Sequence, residues 1–187
     1  PSGTVTAKGK GSGFLAKPDE LERFFDQVFA AVRLPVSVKT RLGVQSPEEF
    51  ARLLEIYNRY PIACLTVHPR VQKEFYKGTV HRDWFTMAAE RSQNPVCYNG
   101  DLLSVEDVRA FERDFPAVEA VMIGRGALGD PWLFERVRAA MLGQPQPAEP
   151  TLNQRMNALR NQIYEMCEEK GEWAAMPQAR SQAMHYM

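Results

Sequence analysis

The feature that most constrains this chain is a unit that recurs four times: a short apolar run rich in β-branched residues, a few polar or glycine-bearing residues, then an amphipathic helical stretch. The runs are LPVSVKTRLG, IACLTV, PVCY and EAVMI, nearly continuous in apolar character, as in strands covered on both faces. The first is expected to end near Lys39 and the second at His68. Between them, SPEEFARLLEIYNRY sets Ser46 as an N-cap, Pro47 at the first helical position and Glu49 three residues after the cap. SVEDVRAFERDF repeats this start from Ser104, residues 84–92 read as a helix, and Asp130 with Pro131 opens another. Ahead of all four units, Leu21, Phe24, Phe25, Val28 and Phe29 fall at helical spacing in a segment from Asp19 to Arg33, behind Pro18. Strands alternating with helices imply a parallel sheet with helices packed on it.

Four such units make either a small doubly wound sheet or half of a (β/α)8 barrel. The unusual residues favour the barrel: Lys39 and Arg41, His68 and Arg70, Asn99 to Asp101, and Gly124 to Gly126 all sit at the C-terminal ends of their strands, which in a barrel converge on one mouth. The fold class expected is therefore α/β, the C-terminal half of a TIM barrel over residues 1–143, with outer strand edges that half a barrel leaves open. A stiff proline-rich linker, 144–150, leads to the start of a C-terminal helical domain over 151–187. The chain begins at Pro1 without Met and stops at Met187 inside a helix-like segment, which reads as an excised piece.

Composition narrows the function classes. With 23 basic and 23 acidic residues there is no net field to draw a polyanion, so nucleic-acid contact needs a local patch. Cys64, Cys97 and Cys167 form no CxxC pair and read as free thiols of a reducing compartment, Cys64 and Cys97 as strand packing rather than nucleophiles. His68, His81 and His185 lack ligand spacing, so no metal is expected. No apolar run approaches the ~18 residues of a membrane helix and no signal-peptide pattern is present, giving a cytoplasmic expectation without a membrane partner. Tyr164, Trp173 and Tyr186 are read as helical core, with base stacking as the alternative.

The strand ends carry the chemistry. In GRGALGDP, Gly124 and Gly126 permit close backbone approach and Arg125 supplies a charged fork, a combination suited to an anion, although a tight turn with a solvated arginine has the same letters. Lys39 can stabilise negative charge on a cofactor ring or carbonyl oxygen, or simply snorkel from its strand. His68 suits a cofactor edge or a proton shuttle, and Arg70 a phosphate or carboxylate, against the alternatives of a satisfied structural histidine and a surface ion pair. Asn99 and Asp101 are turn formers.

Taken in order, SVKTRLG, LTVHPR, FYKG, PVCYNGD and VMIGRGALGDPWLF closely resemble the tRNA-dihydrouridine synthases over residues 1 to about 142, and more weakly beyond. The resemblance implies an FMN-dependent barrel followed by a helical domain that helps to hold tRNA. NADPH or NADH reduces the flavin, which passes hydride to C6 of a uridine flipped out of the stack while a cysteine protonates C5. It further implies that Lys39 and His68 contact the flavin ring, that Asn99, Gly100 and Asp101 form a flavin-binding turn, that Gly124 and Arg125 bind its phosphate, and that Arg70 meets the phosphate or the RNA. Lys8 and Lys10, interleaved with glycines, resemble the loop facing the substrate RNA and are expected to meet tRNA phosphates, or else belong to a solvated loop. The family's catalytic cysteine lies in an N-x-G-C-P motif, and Pro1 looks like the last residue of it, so the proton donor is expected immediately before Pro1 and the 187-residue chain is expected to be inactive alone. Rival expectations are another FMN barrel acting on a small molecule and a non-catalytic RNA-binding barrel.

Overall fold

The computed structural model describes residues 3–186. The chain divides into two compact units, residues 1–100 with 115–122, and residues 101–114 with 123–187.

In the first unit, α1 (Gly3–Thr6) leads through a tight 3-10 turn at Gly11–Ala16 into α2 (Pro18–Ala31), β1 (Ser37–Arg41), α3 (Glu49–Tyr57), β2 (Cys64–His68), α4 (Arg82–Arg91), β3 (Val96–Tyr98) and, later in the chain, β4 (Ala120–Val121). Among the described residues these strands form one parallel sheet in the order β1-β2-β3-β4. Each strand lies parallel beside its sequence neighbour, as crossover connections allow. The register aligns Thr40, Val67, Tyr98 and Val121 in one row and Lys39, Thr66, Cys97 and Ala120 in the next. Successive residues of a strand point to opposite faces, so these two rows face opposite ways.

The Thr40 row receives helices. Tyr57 of α3 hydrogen-bonds Thr40 Oγ1 at 2.8 Å, and Phe85 of α4 meets Tyr98 edge to face at 4.7 Å. Phe50, Leu53, Ile56, Leu65, Val67 and Phe85 are wholly buried. Burial of such side chains stabilises the fold by about 1.5–3 kcal/mol each. α2 joins through Phe25, whose ring lies 5.8 Å from Tyr57 and 5.3 Å from Tyr60. Buried Asn94 ties a loop down by accepting from Ile62 N–H and donating to the Tyr57 carbonyl, both at 3.0 Å.

The second unit comprises α5 (Val105–Asp114), a 3-10 turn at Arg125–Ala127, α6 (Leu133–Met141), α7 (Leu152–Lys170) and α8 (Glu172–Tyr186). Ser104 and Asp107 cap α5 reciprocally, Ser104 N–H donating to Asp107 at 2.9 Å and Asp107 N–H to Ser104 Oγ at 3.1 Å. Thr151 and Gln154 do the same for α7. Met166, Ala175 and Ala179 form the apolar seam between α7 and α8, with Ile163 and Cys167 against it.

The structure corrects several expectations. β1 does not end near Lys39: its ladder to β2 continues to Arg41, opposite His68. α3 starts at Glu49 rather than Pro47, because the Glu49 carboxylate gathers the N–H groups of Val44, Gln45 and Ser46 and builds a turn ahead of the helix, while Ser46 gives no side-chain cap. α6 starts at Leu133, not Pro131. Trp173 and Tyr164 do not fill a core: they are 95% and 63% exposed, and Met166, Ala175 and Ala179 make the α7–α8 seam instead.

Candidate functional site

On the first unit the sheet face opposite α3 and α4 carries Ser37, Lys39 and Arg41 of β1 and Cys64, Thr66 and His68 of β2 by strand alternation. Lys39 is exposed as a residue, yet its ammonium is held below the usual lysine range, first by lost hydration against the sheet and then by neighbouring Arg41, with Cys97 opposing. Burial pushes the Cys97 thiol up, which makes it a poorer nucleophile.

His68 and Arg70 are brought together. His68 ends β2 and is 6% exposed, and Arg70 is 1% exposed. One Arg70 nitrogen lies 3.2 Å from His68 Nε2 and another donates to the Gly78 carbonyl at 2.6 Å. A guanidinium can only donate, so Nε2 accepts and the imidazole hydrogen is carried on Nδ1. The neutral tautomer is thereby selected by the neighbour.

Arg41, noted at the strand end but given no role from sequence, organises the following loop. It donates to the Val71 carbonyl at 3.0 Å and to the Phe75 carbonyl at 2.7 Å, and lies 5.5 Å from the centre of the Tyr76 ring. Tyr76 in turn sits 6.2 Å from the His68 ring. Phe75 takes a φ of +53°, a left-handed conformation rarely adopted by a bulky side chain. Glu74 holds the loop further, accepting from Val71 N–H and pairing with His81, both at 2.7 Å. The signal that could have found Arg41 was its spacing of two from Lys39, which puts both on one face.

The Asn99-Gly100-Asp101 stretch is tied into its surroundings. Asn99 donates through its side-chain amide to the Met122 carbonyl at 2.8 Å, linking the ends of β3 and β4. Gly100 is glycine for an internal reason, since a Cβ there would lie 2.9 Å from both the Tyr98 hydroxyl and Val80. In the second unit Asp101 adopts a φ of +41°, and its carboxylate receives Arg125 at 2.6 Å.

Gly124 and Gly126 differ. A Cβ on Gly126 would come 2.5 Å from the Leu102 carbonyl, so packing requires glycine there. A Cβ on Gly124 would meet nothing within 4 Å. Gly124 thus leaves open space at the backbone beside Arg125.

Lys8 and Lys10 are exposed between α1 and the 3-10 turn at Gly11–Ala16. The backbone reverses there at Gly9 and Gly11, with φ of +64° and +57°. Pro1, on which the expectation of an upstream cysteine falls, lies outside the described residues. Among the described residues no group of three or more His, Cys, Asp or Glu side chains is placed to hold a metal ion, and no helix is long and apolar enough to cross a membrane.

Comparison with known proteins identifies the family. The family model described as Dihydrouridine synthase (Dus) matches residues 1–187. The chain is 30% identical over 167 residues to tRNA-dihydrouridine synthase B of Pasteurella multocida, covering 89% of this chain and 50% of that protein. It is 36% identical over 151 residues to tRNA-dihydrouridine(16) synthase of Ralstonia nicotianae, covering 80% and 46%. Against a probable tRNA-dihydrouridine synthase of Mycobacterium leprae it is 31% identical over 201 aligned positions, covering 100% and 50%. The chain spans about half the length of these curated relatives. With a four-stranded parallel sheet and a family match along its whole length, the chain belongs to the dihydrouridine synthase family.

Proposed function

We propose that the full-length protein is a tRNA-dihydrouridine synthase, a cytoplasmic oxidoreductase that reduces uridine to 5,6-dihydrouridine in tRNA with FMN and NADPH or NADH. In this reading β1 to β4 are the second half of a (β/α)8 barrel and residues 151–187 begin the helical domain that holds tRNA. The observation that carries it is the sheet itself. Its strands run parallel in sequence order, without the reversal at which doubly wound sheets bind ligands, and Lys39, Arg41 and His68 share the face away from the helices.

The residues fit FMN by their chemistry. Lys39 and Arg41 give the sheet face positive character, His68 offers an Nδ1–H donor, and Gly124 leaves the backbone beside Arg125 open to a phosphate. Bound there, FMN would supply the two-electron relay between the nicotinamide and the uracil ring. Lys39 and His68 are the residues proposed to hold the ring system, where a fixed cation and a fixed donor favour developing negative charge without reorganisation. Asn99, Gly100 and Asp101 form the turn proposed to flank it, and Gly124 with Arg125 take the phosphate. Arg70 acts on His68, keeping Nε2 occupied so that the donor edge is constant.

Purified full-length protein should be yellow, retain FMN, and convert uridine to dihydrouridine in tRNA when supplied with NADPH or NADH. A colourless preparation that FMN cannot reconstitute overturns the proposal. The present chain covers about half of its relatives and is expected to be inactive by itself, so turnover by the 187-residue chain would overturn that part.

A further inference from the structure

The turn from Gly124 to Pro131 and the helices that follow it are joined by contacts that the proposed chemistry does not use. Arg136 of α6 is 8% exposed, although an arginine is almost never buried without partners. Its fork grips both carboxylate oxygens of Asp130, the residue that closes the turn. From its other side it pairs with Glu149 at 3.4 Å, and Glu149 pairs with Arg155 of α7, also at 3.4 Å. Arg155 in turn reaches the Gly129 carbonyl at 3.4 Å, so the chain of charges begins and ends on the turn.

Gly129 is buried and has a second partner. A Cβ at this position would overlap the backbone carbonyl of His185 in the last turn of α8. Only a residue without a side chain lets α8 seat there. Arg125 stands four residues earlier, in the 3-10 turn Arg125–Ala127, whose middle glycine is pinned against the Leu102 carbonyl. Between Arg125 and Gly129 there is little chain left to absorb a displacement.

We propose that Gly129 and Arg136 are positioning residues: they lock the Gly124–Pro131 turn to α7 and α8, so that the helical region fixes where Arg125 stands. The inference rests on the reading of Arg125 as an FMN-phosphate contact. It assigns the helical region a second task beside any contact with RNA. Thermodynamic reciprocity then requires that an RNA whose binding depends on the placement of α7 and α8 also changes the affinity for FMN.

The test uses the full-length protein and three variants, Gly129→Ala, Arg136→Lys and Glu149→Gln. FMN affinity is read by quenching of flavin fluorescence, and order in α8 by hydrogen exchange. Gly129→Ala is expected to speed exchange in α8 and to weaken FMN about tenfold, with riboflavin, which lacks the phosphate, little affected. Arg136→Lys keeps the charge but loses the fork and should behave likewise. If Gly129→Ala does not fold, Glu149→Gln decides, because Glu149 is largely exposed and its loss breaks the link to Arg155 without a buried vacancy; it should weaken FMN about threefold or more. Faster exchange in α8 with FMN affinity unchanged would overturn the proposal. Wild-type protein unable to bind FMN would instead overturn the assignment of Arg125 on which the proposal stands, and is read separately.

Discussion

Arg70 donates to His68 Nε2 across 3.2 Å while its other arm holds the Gly78 carbonyl at 2.6 Å, so one buried cation sets both a histidine tautomer and the return of a loop. Replacing Arg70 by Met removes the donors, leaving the buried His68 ring nitrogen without one and the part-buried Gly78 carbonyl to water. The expected loss is about 2–4 kcal/mol of folding stability, larger than for a surface charge. Denaturant unfolding of the full-length apoprotein measures it. A change below about 0.5 kcal/mol would mean that the fork is not structural.

Glu49 shows how a capping pattern can be half right. Its carboxylate accepts from the N–H groups of Val44, Gln45 and Ser46 at 2.8, 2.9 and 2.9 Å. Burial alone would raise its pKa, but those donors hold it below the usual 4.5. A depressed folded pKa contributes stability that is present above 4.5 and is lost as pH falls through the folded value. Glu49→Gln should therefore cost about 1–3 kcal/mol at pH 7 and much less in acid below the folded pKa. Unfolding curves collected from pH 7 down to pH 3 decide it, and an equal cost at both ends would contradict the assignment.

The legibility of the fold follows the same division between local and long-range causes. Ser104 and Asp107 are three residues apart, their cap is made by neighbours in sequence, and both halves formed where the letters placed them. Parallel pairing of apolar strands was also readable, since each strand needed only its alternation with a helix. Arg41 was not: its partners, Val71 and Phe75, are 30 and 34 residues away, and no local pattern tells a guanidinium which carbonyls it will meet. The same holds for Arg125 and Asp101, 24 residues apart. Trp173 misled because an aromatic residue in a helix is usually core, whereas the α7–α8 seam is filled by Met166, Ala175 and Ala179 and leaves Trp173 95% exposed.

Lys39 sits where lost hydration and the neighbouring Arg41 disfavour its charge, outweighing the opposing effect of Cys97. Its folded pKa lies below the ordinary 10.5, so the unfolded chain keeps the proton to higher pH. The ammonium therefore costs stability at neutral pH, and the cost is relieved as pH rises from the folded value toward 10.5. Lys39→Met should leave the apoprotein more stable at pH 7, by less than about 1 kcal/mol because the residue is exposed, with the advantage shrinking at alkaline pH. The same variant should bind FMN more weakly, as expected of a residue retained for a ligand. A variant less stable at pH 7, or one that binds FMN as wild type does, would count against this.

Lys8 and Lys10 offer an electrostatic test that leaves the fold alone, since both are exposed. If they neutralise tRNA phosphates, each releases counterions on binding. The slope of log affinity against log salt for the full-length protein should then fall by about 1 for each lysine replaced by Ala. Gel-shift or fluorescence titrations at several salt concentrations measure it. An unchanged slope in the double variant would place both lysines in a merely solvated loop.

The reading of Arg125 can be separated from general damage by the choice of ligand. FMN and riboflavin share the ring and the ribityl chain and differ in the phosphate. In the proposed site, the open approach at Gly124 and the charged fork of Arg125 would serve only the former. Arg125→Ala should weaken FMN about 10- to 100-fold, the value of one or two charge-assisted hydrogen bonds, and leave riboflavin affinity within about twofold. Asp101→Asn tests the orientation of the fork: asparagine tolerates the φ of +41° but withdraws the negative charge that Arg125 leans on, so FMN should weaken by a smaller factor. Equal losses for FMN and riboflavin in Arg125→Ala would show that the arginine supports the turn rather than reading the phosphate.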